Sequence, residues 1–193
     1  MTRLRLLPLA CVAVGMLASG CAARDVVPDT SPVTPISTDL VPASLPAQKL
    51  TIDLDRSKEV KKAVQSAGPQ VLVGDARLWN IHRGQRLVGA LQLATLKKRV
   101  DPRRATDRQA IISQVLGGRA RQIQVDGLPV WTVPDDGAGR GIYVWFGARS
   151  FGVLQLKGTD IQPAAVADAL VHQIASRPAW RALPPQAYAT GSA

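Results

Sequence analysis

The chain has 193 residues, with Lys+Arg 24 against Asp+Glu 14 and a formal net charge of +10. That length suits one domain with a single core. Two histidines and a single glutamate, Glu59, make a poor metal set, because zinc sites gather three or four protein ligands.

The first segment has three parts. Arg3 and Arg5 give a positive start, Leu6 to Leu17 is apolar apart from Pro8 and Gly15, and Ala18, Ser19 and Gly20 precede Cys21. Such a segment is read by export machinery and removed, so it does not belong to the fold. It resembles a bacterial lipoprotein signal with its lipobox, with Ala18 where that family usually has Leu. The resemblance implies that Cys21 becomes the mature N-terminus and carries the lipid. Cys11 leaves with the segment, so an internal disulfide and a cysteine-ligated metal are both excluded. No later apolar run reaches the eighteen or so residues of a membrane span. The expected location is therefore the extracytoplasmic side of a cell membrane, through a lipid anchor.

Residues 22 to 48 hold Pro28, Pro32, Pro35, Pro42 and Pro46 among Ser, Thr and Ala, with no helical or strand period. They read as a solvated tether. Leu50, Ile52 and Leu54 alternate with Thr51 and Asp53, which predicts a strand. A helix is expected after Asp55 or Ser57, with Val60 and Val64 on one face, ending at Gly68-Pro69. Val71 to Ile81 and Arg86 to Leu96 predict a hairpin turned at Arg83-Gly84-Gln85. After a basic loop, Thr106 or Asp107 is expected to cap a helix whose stripe is Ile111, Ile112, Val115 and Leu116, stopped by Gly117-Gly118.

Gln122 to Val125 alternates cleanly, and Asp126-Gly127 turns the chain or kinks a longer strand continuing through Leu128 to Val133. Asp135-Asp136-Gly137 lacks the later oxygen ligands of a calcium loop and reads as a turn. Ile142 to Phe146 and Phe151 to Leu156 predict a hairpin around Gly147-Ala148-Arg149-Ser150. The last helix starts near Pro163 and buries Val166, Leu170 and Ile174. The expected fold class is α+β, an antiparallel sheet with helices packed on it. The expected organisation is a signal segment 1–20, a tether 21–48, a domain 49–181 and a loose tail 182–193. Val125-Asp126-Gly127-Leu128-Pro129, the apolar hairpin and the closing helix resemble the C-terminal half of Mog1/PsbP-like domains, which recur in secreted and lipid-anchored bacterial proteins.

Chemistry-bearing patterns are sparse. Ser150 fails the nucleophile-elbow motif because Ala148 stands where glycine is required. His172 lies four residues after Asp168 and fits an exposed helix pair, and His82 precedes a turn. Lys97, Lys98, Arg99, Arg103, Arg104 and Arg108 place six positive charges within twelve residues. They fit an anionic surface such as lipid headgroups, a wall polymer or an acidic protein partner. Nucleic acid is not the expected partner of an exported chain, and no cofactor is expected.

The hairpin yields a second candidate. With Ala148 and Arg149 at the turn, Ile142, Val144, Phe146, Phe151 and Val153 share one face, and Tyr143, Trp145, Leu154 and Leu156 share the other. The last helix covers only one face, so the first set is a candidate partner face if it is left open. The function expected from these features is a non-enzymatic, lipid-anchored binding or accessory module. The alternatives are an extracytoplasmic hydrolase with an unidentified site, or a small-ligand carrier.

Overall fold

Strands dominate the described residues, and successive side chains along each point to opposite faces of the sheet. The computed structural model describes residues 35–55, 73–133, 139–158, 160–177, 180 and 183. Within these, the strands are β1 (Ser44–Leu45), β2 (Leu50–Leu54), β3 (Val73–Arg83), β4 (Arg86–Leu96), β5 (Arg121–Val125), β6 (Leu128–Thr132), β7 (Arg140–Phe146) and β8 (Ser150–Lys157). Helix α1 (Ala105–Leu116) lies between β4 and β5, and α2 (Pro163–Ala175) follows β8. The eight strands form one sheet, in the order β1-β2-β3-β4-β8-β7-β6-β5, and every neighbouring pair is antiparallel. The fold is therefore α+β, a single domain built on an antiparallel sheet.

One crossing organises the topology. The chain leaves the centre of the sheet at β4, passes through α1, and resumes at the far edge with β5. It then returns as a meander, β5 to β8, which closes against β4.

The two helices cover opposite faces. Val166, Leu170 and Ile174 of α2 pack in one buried cluster with Trp79, Leu91, Tyr143, Trp145 and Leu154. Ile111, Ile112 and Leu116 of α1 pack in the other, with Ala94, Val144, Phe146, Phe151 and Val153. Alternation along β7 explains the division, since Val144 and Trp145 are consecutive and point to opposite sides.

The β7–β8 register pairs Phe146 with Phe151, Trp145 with Gly152, Val144 with Val153 and Tyr143 with Leu154, as the sequence predicts. The consequence for the candidate partner face is a correction. Val144, Phe146, Phe151 and Val153 are buried and Ile142 is half-buried. Helix α1 covers this set as α2 covers the other, so the face is core and offers no partner surface. Trp131 adds to that core, its ring edge-on to Phe146 with centroids 5.3 Å apart.

Other expectations change at the element ends. Neither Thr106 nor Asp107 caps α1. Arg104 is the N-cap and makes no side-chain capping bond. Asp107 instead turns back, its Oδ2 accepting from the Asp101 amide at 2.9 Å. Gly117 does end α1, with φ 68°, its amide donating to the Ser113 carbonyl. Asp126 and Gly127 form a two-residue turn, both at positive φ, between Val125 and its partner Leu128.

The largest correction is the domain boundary. Ile36, Leu40, Val41 and Leu45 are buried in the α2-side cluster, although the tether was expected to run to residue 48. β1 pairs with β2, and the Ile36 amide donates to Asp75 Oδ2 at 3.0 Å. Residues 36–45 thus belong to the domain, because sparse apolar residues spaced irregularly along a segment with one 3-10 turn, Thr38–Leu40, can still each fill a pocket. The signal segment with Cys21, the expected helix after Asp55 or Ser57, the Asp135-Asp136-Gly137 turn and nearly all of the C-terminal tail lie outside the described residues. Among the described residues no helix is long and apolar enough to cross a membrane.

Candidate anionic-contact surface

The basic loop 97–104 is a built structure. The Asp101 carbonyl accepts from the Arg104 amide at 2.9 Å, and Asp101 Oδ1 accepts from the Arg103 amide at 2.9 Å. With Asp107 bound to the Asp101 amide, both carboxylates face backbone donors inside the loop. Lys98, Arg103 and Arg104 are exposed, and Lys97 and Arg99 are half-buried.

Arg108 differs from the rest. Its Nη1 donates to the Pro102 carbonyl at 2.8 Å and to the Arg103 carbonyl at 3.2 Å. Its guanidinium carbon lies 5.8 Å from the centroid of the Trp131 ring, within cation–π range. Arg108 therefore fastens the loop onto α1 and the sheet, and is not simply one more outward charge.

The fold adds a cation that sequence spacing does not reveal. Arg149, at the β7–β8 turn, donates from Nη2 to the Leu96 carbonyl at 3.1 Å and from Nη1 to the Lys98 carbonyl at 3.4 Å. The Leu96 amide donates in return to the Arg149 carbonyl at 2.8 Å. Residues about fifty apart in sequence meet because β4 and β8 are neighbours. The hairpin register, which puts Arg149 in the turn, was the available signal. What was missing was the β4–β8 pairing. The result is a cationic end of the sheet, with Asp75, Asp101 and Asp107 each held to backbone amides.

The remaining candidates fall elsewhere. Ser150 is buried, and its Oγ has no hydrogen-bond partner among the described residues. His82 is half-buried on β3, opposite Leu87. His172 is exposed, and its imidazole Nδ1 contacts the Asp126 carboxylate across from α2 to the β5–β6 turn, where Asp168 was the expected partner. That hydrogen bond to Asp126 holds the His172 pKa above its ordinary 6.5, and Asp168 adds a lesser push the same way. At the opposite end of the sheet Asp160 bridges Arg86 and Arg83. The hydrogen bond from Arg86 holds its carboxyl below the usual range.

A pH dependence follows. A raised imidazole pKa means that the His172–Asp126 attraction is fully present below the unfolded pKa near 6.5 and is lost as pH rises through the folded value. Asp126→Asn keeps a residue that tolerates the left-handed turn conformation and removes the charge. The His172 titration midpoint, followed by NMR, is expected to fall back towards 6.5 in this variant. An unchanged midpoint would mean that Asp126 is not its partner in solution.

Two open hollows lie outside the core, one of about 300 Å³ beside Lys49, Arg83 and Gln162, and one of about 550 Å³ on the outer side of α1 beside Arg108. Comparison with known protein families, with curated proteins and with solved structures finds no match for this chain.

Proposed function

We propose that this chain is a lipid-anchored, extracytoplasmic binding or accessory module of a bacterial membrane, non-enzymatic, which contacts polyanions through the end of the sheet formed by loop 97–104 and Arg149. The observation that carries the reading is the arrangement of charge there. The Asp101 and Asp107 carboxylates face backbone amides, while Lys98, Arg103 and Arg104 stay exposed. The anchor rests on the signal-like residues Arg3 to Cys21. Three further carboxylates also serve structure: Asp75 holds Ile36, Asp126 contacts His172, and Asp160 bridges two arginines.

Two variants test the two halves of the reading. Cys21→Ser is expected to abolish lipid attachment and leave unprocessed precursor in the membrane. A variant processed and retained like the wild type removes the anchor. The combined change of Lys97, Lys98, Arg103 and Arg104 to Gln is expected to leave membrane retention intact, because the lipid supplies it. Its retention on an immobilised polyanion such as polyglutamate should fall roughly to the level that high salt gives the wild type. Undiminished polyanion binding would remove the loop from the contact.

A further inference from the structure

The sheet has two edges, and they differ. β1 is two residues long, and a very short edge strand is one of the devices by which proteins blunt an edge. β5 is five residues long, pairs with β6 without a register break, and holds no proline or lysine. Arg121, Gln122 and Gln124 are exposed along it, and Ile123 is half-buried at the margin of the α2-side cluster. The two-residue turn at Asp126 and Gly127 sets which main-chain groups look outward. Val125 and Leu128, which flank it, exchange both hydrogen bonds, so Ile123 and Arg121 bond inward as well. Pro129, which has no N–H, stands opposite Gln124, at a place where no bond crosses to β5. The N–H and C=O of Gln122 and Gln124 therefore point away from β6, where the sheet has no further strand among the described residues.

We infer that this edge is an interface between two copies of the chain, which pair β5 with β5 antiparallel, Ile123 facing Ile123 on the two-fold axis. The register is the one that uses every outward group. It sets Gln122 of each copy opposite Gln124 of the other, two pairs with two hydrogen bonds each, and joins the sheets into one of sixteen strands, eight from each copy. Ile123 supplies an apolar contact at the centre, between cross-strand neighbours whose Cβ atoms stand about 4.5–5.5 Å apart. Charge fits the same arrangement. Arg119 and Arg121 lie at the start of β5, and Asp126 lies just past its end with Asp168 nearby on α2, one turn before His172. Antiparallel pairing lays the basic end of each copy against the acidic end of the other, while the two Arg121 residues stay four strand positions, or about 14 Å, apart. A foreign strand would use the main-chain groups alone. A second copy also matches Ile123 to Ile123 and sets Arg121 beside Asp126 twice over, as a two-fold interface requires. None of this depends on the anchor.

The test traps the pair covalently, because so few main-chain hydrogen bonds make a weak dimer. Ile123→Cys is introduced into the full chain, and the purified protein is oxidised with copper phenanthroline. The unaltered chain, treated alike, gives the background from Cys11 and Cys21. Facing Cβ atoms at this spacing come within reach of a disulfide, so a product of twice the chain mass is expected above that background. Adding Gln124→Pro should lower its yield roughly tenfold, because the change removes half of the intermolecular bonds and only an N–H that β6 does not use. The urea midpoint of Gln124→Pro alone reports whether the domain itself is intact. Where that midpoint falls, Gln122→Lys with Gln124→Lys takes its place, since it alters only exposed side chains and sets like charges opposite each other across the interface. A yield no greater than background overturns the interface. So does a yield that neither change lowers, since collisions at any surface would give it. A product of another mass assigns the edge to a different chain and overturns the self-pair.

Discussion

Gly152→Ala is expected to destabilise the domain by about 3 kcal/mol, at the upper end of overpacking costs. A Cβ at this position would lie 2.1 Å from Trp145 Cζ2 and 2.4 Å from Trp145 Cε2. The indole has nowhere to retreat, because Trp145 is 1% exposed and packed with Leu154, Leu170 and Ile174 beneath α2. The pairing of Trp145 with Gly152 directly across β7 and β8 creates the contact. Urea denaturation of the variant checks the size of the loss. The mechanism is checked by repeating the change in a Trp145→Leu background. That substitution costs about 3 kcal/mol or more by itself, as large-to-small core changes do. It also vacates the space, so the two losses should fall short of additivity by 1 kcal/mol or more, in the range of coupled neighbours. Additive losses would mean that the two residues do not face each other in solution.

A chain begun at residue 49, where composition places the domain boundary, is expected to be largely unfolded, whereas one begun at residue 35 folds cooperatively. The longer form keeps Ile36, Leu40, Val41 and Leu45, which are buried against Trp79, Ile81 and α2. Burial of one such side chain is worth about 1.5–3 kcal/mol. Removing four such side chains at once also leaves their pockets open, so a loss of several kcal/mol is expected. That is a large share of the 5–15 kcal/mol or so by which domains are stable. Losing β1 would also leave β2 as an unpaired edge. Far-UV circular dichroism and urea midpoints compare the two forms. A chain from residue 49 with an unchanged midpoint would show that residues 35–48 merely lie on the surface.

Much of the sheet was legible along the chain because strand residues declare themselves locally. The strands expected over Val71–Ile81 and Arg86–Leu96 correspond to β3 (Val73–Arg83) and β4 (Arg86–Leu96), and Asp126-Gly127 is the turn between β5 and β6. The β7–β8 register followed from counting outward from Ala148 and Arg149, since directly opposed residues share a face. The α1 stripe of Ile111, Ile112 and Leu116 was also readable, because apolar residues three and four apart need one covered side. The start of α1 was misread at Thr106 and Asp107, where Asp107 is drawn to the Asp101 amide through a contact local to the loop but invisible in propensity.

For this protein the sequence alone determined the α+β class, helices α1 and α2, the β7–β8 register and the clustering of Lys97, Lys98, Arg103 and Arg104, because each depends on neighbours a few residues apart. Tertiary structure alone decided three things. It placed α1 over the face of Val144 and Phe151, so that an apolar surface with the composition of a binding site became core. It drew Ile36, Leu40 and Val41 into the domain from a segment with no period of its own. It brought Arg149 beside Lys98, and His172 beside Asp126, by pairing β4 with β8 and laying α2 near the β5–β6 turn. The physical reason is common to all three. Burial and charge proximity depend on which distant segments share space, and local periodicity records only which side of its own element a residue faces.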